Sequence, residues 1–296
     1  MPARDPRQAS VRAALLSAPG LAWVTLFLLL PLGLILGVSF LSRGEYGELE
    51  RPFTFESYQR FIGFGSLGFD PLYPRIVVRS LLLGAATTGL CLLAGLPLAF
   101  FVAGLPRRFK TPALTLVVIP LWTNLLIRTY AWQILLVPGG WLARAAATLG
   151  LVAPGQGLYP GLLAVYVGMV CDFLPFLVLP LYASVEKMDG TIAEAARDLG
   201  ADGWATFRHA LLPQIQPGLR AGALLTFIPA TGQFVVPDLL GGSKTVLVGN
   251  VIQQQFGQSH DWPFGSAVAV LSMTVVLAGL WLYARAATRP GETAFP

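Results

Sequence analysis

Charge is what this chain has least of. Only 12% of its 296 residues are Asp, Glu, Lys or Arg, against roughly 25% in a soluble globular domain, while 55% are hydrophobic. So few charged side chains cannot cover a water-facing surface. This excludes a disordered protein and an ordinary cytosolic enzyme, and the mean hydropathy of +0.66 directs the bulk of the chain to lipid. Cysteine is nearly absent. Cys91 and Cys171 lie in apolar runs, read as small buried side chains, and imply no disulfide framework. His209 and His260 stand apart from any ligand-spaced partner, so no metal centre is expected. A phosphate loop is missing too. The run from Gly63 to Gly68 matches G-x-G-x-x-G, but it sits in an aromatic loop instead of between a strand and a helix. In Gly242-Ser243-Lys244-Thr245, Ser243 stands where a phosphate loop needs glycine. With no Ser/His/Asp or Cys/His constellation either, this chain is not expected to be an enzyme or to hold a cofactor. The net charge of +5 comes from 20 dispersed basic residues. They form no nucleic-acid patch; in a membrane protein such an excess sets topology.

What the sequence has is long apolar runs. A span needs about 20 mostly apolar residues, and six segments qualify: 21–41, 80–104, 111–137, 159–185, 218–240 and 264–284. The expected fold class is an all-α integral membrane protein, a single domain with six transmembrane helices. The first segment reads as a retained helix, since its length and the lack of a small-residue cleavage site do not suit a removed signal peptide. Arg128 interrupts the third segment and Asp172 the fourth, while Pro229, Gly232 and Pro237 fall inside the fifth. Gly33 with Gly37, and Gly218 with Gly222, have helix-packing spacing and predict close packing within the chain.

Six spans put both termini on one side. That side holds Arg4, Arg7, Arg12, Arg107, Arg108, Lys110, Lys187, Arg197, Arg208, Arg220, Arg285 and Arg289. The other holds Arg43, Arg51, Arg60, Arg75, Arg79, Arg144 and Lys244, most of them beside acidic residues in the loop 42–79. The positive-inside rule therefore predicts cytoplasmic termini and a cytoplasmic loop 186–217.

That loop has structure of its own. Thr191 with Glu194 reads as a capping box opening a helix, Gly200 as its left-handed stop, Asp202 as the cap of a second helix and Pro213 as that helix's end. Trp204, Phe207 and Leu211 share one face of the second helix, available to a partner or to the chain's own helices. Glu194 is either half of the cap or a docking group.

The run Glu194-Ala195-Ala196, then Gly200, then Leu212-Pro213 resembles the EAA signature of permease subunits of binding-protein-dependent, ATP-driven importers, with Ala210 where the family pattern has an aliphatic residue. The resemblance implies a MetI-like importer permease fold in a bacterial cytoplasmic (inner) membrane. It implies that Glu194, Ala195, Ala196, Gly200, Trp204, Phe207, Leu212 and Pro213 couple the membrane part to an ATPase. The implied partners are a second related permease subunit, two ATPase subunits that bind ATP and Mg, and an extracytoplasmic substrate-binding protein, besides the lipid bilayer. Arg128-Thr-Tyr-Ala-Trp132, the run from Phe227 to Gly242, Gly249-Asn-Val-Ile and the run from Asp261 to Ala267 look like the first permease subunit of spermidine/putrescine importers. Some relatives carry an acid where this chain has Gln233. The alternatives are the same importer class with another small solute, or an ion-gradient secondary transporter.

Charge inside a membrane is costly and marks a functional candidate. Asp172 offers its carboxylate either to a passing polycation or to Arg128 on the neighbouring segment. Asn124, Tyr130, Gln133, Thr231, Gln233 and Asp238 are the polar groups expected near a hydrated path, and Trp122 and Trp132 the rings able to meet a cation. Pro229 and Gly232 are expected to bend the fifth helix where irregular backbone lines a cavity.

Overall fold

A computed structural model describes residues 6–44, 49–50, 53–65, 68–150, 153, 157–242 and 245–287. Ser66 and Leu67 of the glycine-rich run, Ser243 and Lys244, and Arg4, Arg51 and Arg289 lie outside the described residues. The chain divides into two compact units, 75–251 and a second made of 1–74 with 252–296.

The larger unit holds α3 (Leu72–Gly104) from residue 75 on, α4 (Arg107–Trp122), α5 (Leu125–Leu136), α6 (Trp141–Thr148) and α7 (Leu162–Glu186). It continues through α8 (Gly190–Asp198), α9 (Gly203–Thr206), a π-turn (Phe207–Leu211), α10 (Leu212–Gly232) and α11 (Val235–Gly241) into the start of α12 (Val248–Gly257). α7 is its centre: Val165, Met169, Leu177, Val178 and Leu181 are fully buried against Ile215 of α10, Val236 and Leu240 of α11, and Cys91 and Ala99 of α3. α10 runs along α7 at backbone distance, because Gly218 and Gly222 face Pro180, Ser184 and Leu177. The Cys91 thiol donates to the carbonyl of Val170 on α7 at 3.8 Å.

The smaller unit holds α1 (Pro6–Val38), two short ladders (β1, Ser42–Arg43, with β2, Leu49–Glu50; β3, Phe64–Gly65, with β4, Gly68–Phe69), α2 (Glu56–Ile62) and α13 (Trp262–Ala287). α13 packs on α1 and α2. Asp261 is buried at the start of α13. It caps the helix by accepting from Phe264 N–H at 3.2 Å and pairs with Arg60 at 2.8 Å. Gly33 and Gly37 on α1 meet no other atom at Cβ distance, which corrects the expectation that they pack within the chain.

Among the described residues, four helices are long and apolar enough to cross a membrane: Ser17–Val38, Leu72–Gly104, Leu162–Glu186 and Trp262–Tyr283. The third apolar segment departs from the single helix expected of it, while the fifth bends just after Gly232, as its Pro229 and Gly232 predict. α4 and α5 meet at a 97° bend, and the helix from Gly203 to Gly232 meets α11 at 63°. Counting each bent pair as one span gives six.

Candidate functional site

Both bends are held by polar side chains that accept from backbone N–H groups at the start of the helix beyond. At the first, Thr123 and Asn124 are extended, with ψ of 146° and 132°. The Asn124 Oδ1 accepts from the N–H groups of Leu126 at 2.8 Å and Ile127 at 3.4 Å, opening α5. At the second, Gln233 is extended, with ψ of 132°. Its Oε1 accepts from Phe234 N–H at 3.1 Å and Val235 N–H at 3.3 Å. Asn250, at the start of α12, donates to the Phe234 carbonyl at 3.2 Å and accepts from Leu247 N–H at 3.1 Å. Asn124 and Gln233, expected along a path, thus hold the two breaks. α5 and α11, the helices that follow the breaks, pack on each other.

Arg128 ties the first bend to the central helix. Its Nη1 donates to the carbonyl of Pro120 and to the Thr123 hydroxyl, both on the far side of the break, and its Nε lies 2.6 Å from Asp172 Oδ1 on α7. Both partners are largely buried. A cavity of about 620 Å³ opens beside this pair, walled by apolar side chains of α3, α4, α5 and α7, with Arg128 as its charged member.

Of the remaining path candidates, Trp132 lines this cavity and the others lie outside its walls. Tyr130 is half exposed on α5, and Asp238 is exposed in the first turn of α11, where its charge suits the helix dipole. Trp132 is partly buried against the core. Gln133 donates to the Tyr159 hydroxyl, Thr231 is buried with its hydroxyl on the Phe227 carbonyl, and Trp122 is exposed.

The segment 186–217 folds as helix, tight turn, helix, with two corrections. Asp189, not Thr191, caps α8. Its Oδ1 accepts from Thr191 N–H at 2.9 Å and from the Thr191 hydroxyl at 2.8 Å. Those bonds favour the carboxylate and hold its pKa below the usual value. The capping-box role of Glu194 falls away, and its side chain is exposed. Gly200 does end α8, at φ +85°: Ala201 N–H donates to the Ala196 carbonyl at 3.0 Å and Gly200 N–H to that of Arg197 at 2.9 Å. Asp202 caps α9 through Ala205 N–H at 2.6 Å, as its residue type predicts.

Pro213 is the second correction. It does not stop the helix, because the π-turn Phe207–Leu211 inserts a residue ahead of it and Pro213 enters the first turn of α10. There its missing N–H breaks no ladder. Leu212 packs on the core and Pro213 is exposed. Phe207 is half buried, with its ring 6.3 Å from Phe100 and 5.7 Å from Trp204. Leu199 is 90% exposed and Trp204 67%. Ile192 is exposed too, as are Glu194 and Ala195, while Ala196 is half-buried.

Residues 95–290 match the family described as binding-protein-dependent transport system inner membrane component. The chain is 41% identical over 260 residues to the spermidine/putrescine transport system permease protein PotB of Escherichia coli, covering 88% of this chain and 91% of that one. It is 41% identical over 266 residues to PotB of Haemophilus influenzae, with 90% of each chain covered. A bacterial ABC transporter involved in the import of the acidic polysaccharide alginate shares the fold, at a TM-score of 0.66 and 16% identity over 97% of this chain and 100% of that one.

Proposed function

The chain belongs to the family of binding-protein-dependent transport system inner membrane components, and on that premise we propose that it is the permease subunit of an ATP-driven importer carrying spermidine and putrescine into the cytoplasm. The observation that carries the substrate is the 41% identity to PotB over about nine-tenths of both chains. In this reading the chain pairs with a second, related permease subunit, receives substrate from an extracytoplasmic binding protein and is driven by two ATPase subunits that hold ATP and Mg. The chain itself does no chemistry. The basic residues of 186–217 and of the termini support a cytoplasmic place for both.

The work of this chain is to convert closure of the ATPases into alternating access. The exposed side chains of Ile192, Leu199 and Trp204, with Glu194, Ala195 and Ala196, suit the docking surface. Gly200 holds the turn behind it. Leu212 and Pro213 pass the motion into α10, whose far end is the Gln233 break. Asn124, Trp132 and Gln233 shape the walls of the path, and Tyr130 and Asp238 are the groups left to meet a polycation. Asp172 is neutralised by Arg128, so it steadies the first bend.

The test is uptake of labelled spermidine and putrescine by proteoliposomes holding the complete set of subunits. ATP-dependent uptake that unlabelled polyamine blocks supports the reading. A complex whose ATPase works but which takes up neither polyamine keeps the importer and discards the substrate.

A further inference from the structure

Gln214 follows directly on the Leu212-Pro213 end of the signature, and none of the roles above uses it. Its side-chain amide joins three segments. Oε1 accepts from the backbone N–H of Asp189 at 2.9 Å. Nε2 donates to the carbonyl of Ala210, inside the π-turn, at 2.9 Å and more weakly to that of Asp189 at 3.5 Å. Asp189 is the N-cap of α8. One side chain in the first turn of α10 therefore holds both the π-turn and the N-terminus of α8.

The rest of α8 is loosely held. Ala193 is its one buried side chain, and the helix packs on the π-turn and α9. Toward α7 it is joined through residues 187–189. Lys187 and Asp189 are exposed and Met188 packs on the core, so the connection is anchored at one side chain, and a push on α8 can bend it about Met188 unless a second tie fixes the helix end to a rigid element. α10 is that rigid element, seated along α7 by Gly218 and Gly222.

We propose that Gln214 is a positioning residue of the transport cycle, clasping the N-terminus of α8 to the start of α10 so that displacement of α8 is carried along α10 to the Gln233 break. The inference rests on the reading of α8 as the element the ATPase moves. Donor and acceptor of one planar amide engage backbone groups of both segments, which fixes direction as well as distance.

The test compares Q214M and Q214E with wild type in the complete importer in proteoliposomes, reading ATP hydrolysed and labelled spermidine taken up. Methionine keeps the volume and helix propensity but removes every hydrogen bond. Glutamate keeps the acceptor for Asp189 N–H. Q214M is expected to lower uptake per ATP by at least about fivefold, the lower end of coupling between sites, with ATP hydrolysis in the absence of the binding protein within about twofold of wild type. Q214E, which keeps the acceptor for Asp189 N–H but loses the donor to Ala210, is expected to fall between Q214M and wild type. Wild-type uptake per ATP in Q214M overturns the inference, and so does equal impairment of both variants, the mark of a merely structural role. Co-purification of the ATPase with each variant separates failed assembly from failed coupling. If the wild-type complex hydrolyses ATP but takes up no polyamine, the substrate reading fails. The clasp is then read from ATP hydrolysis stimulated by the binding protein, which Q214M must lose and Q214E keep in part.

Discussion

Arg128 and Asp172 face each other across two helices, with Nε 2.6 Å from Oδ1, and the same guanidinium reaches back over the α4–α5 bend to Pro120 and Thr123. A buried pair of this kind is a poor source of net stability but a strong constraint. Removing one member leaves an uncompensated charge and costs about 3–5 kcal/mol. D172N and R128Q are each expected to lower the melting temperature of the purified protein. The double variant D172N/R128Q is expected to be less impaired than the sum of the two, as a double-mutant cycle in thermal unfolding will read. The ratio of spermidine to putrescine uptake is expected to stay at its wild-type value in D172N. A changed ratio would show that the carboxylate meets substrate.

Gly200 sits at φ +85°, and a Cβ there meets nothing within 4 Å. The cost of a side chain is therefore conformational, about 1–2 kcal/mol for an L-residue in the left-handed region and more for a β-branched one. Gly200→Val is expected to cut uptake while the protein still reaches the membrane, and Gly200→Asn to retain most of it. Equal uptake by Gly200→Val and wild type rules out a role for this turn.

The glycine pairs separate in the same way. A Cβ at Gly218 falls on the carbonyl of Pro180 and the hydroxyl of Ser184, and one at Gly222 lies 2.8 Å from the Leu177 carbonyl. Backbone carbonyls cannot swing aside, so Gly218→Val is expected to drive α10 off α7 and destabilise the protein by at least about 1–3 kcal/mol. Gly33→Ala is expected to leave thermal unfolding unchanged. Equal effects of the two substitutions contradict the packing described.

Asn124 and Asp189 open helices by the same device, and their substitutions separate capping from ligand contact. Asn124→Ala is expected to destabilise by about 0.5–2 kcal/mol and Asn124→Asp to restore the cap. For Asp189 the sign with pH follows from its lowered pKa. A depressed carboxylate stabilises the fold above its unfolded pKa, and that contribution disappears as pH falls through the folded value. Asp189→Ala is therefore expected to speed amide exchange across α8 equally at pH 7 and pH 5. A gap that closes by pH 5 would place the titration above the ordinary carboxylate range, the reverse of the lowered pKa, and would contradict the cap.

Much of this was legible in the residues because the signals were local. Asp202 and Gly200 announce their roles by side-chain chemistry and by the absence of Cβ. Apolar runs of about 20 residues give away spans wherever they lie. Asp189 was missed because Thr191 and Glu194 imitate a capping box, and only the backbone shows which oxygen reaches which N–H. Pro213 was misread because a proline ends a regular helix. The π-turn that accommodates it depends on how α9 and α10 are held together.

The sequence by itself determined the lipid environment, the number of apolar segments, the helix–turn–helix of 186–217 and the family. Each follows from composition, length or a short motif. The tertiary structure alone decided that Asp172 is matched by Arg128 and that Gln214 joins α8 to α10. These are meetings between residues up to 44 positions apart in the chain. Local preference cannot specify them, because a polar side chain within an apolar run has many possible partners and the packing of α7 with its neighbours leaves it one.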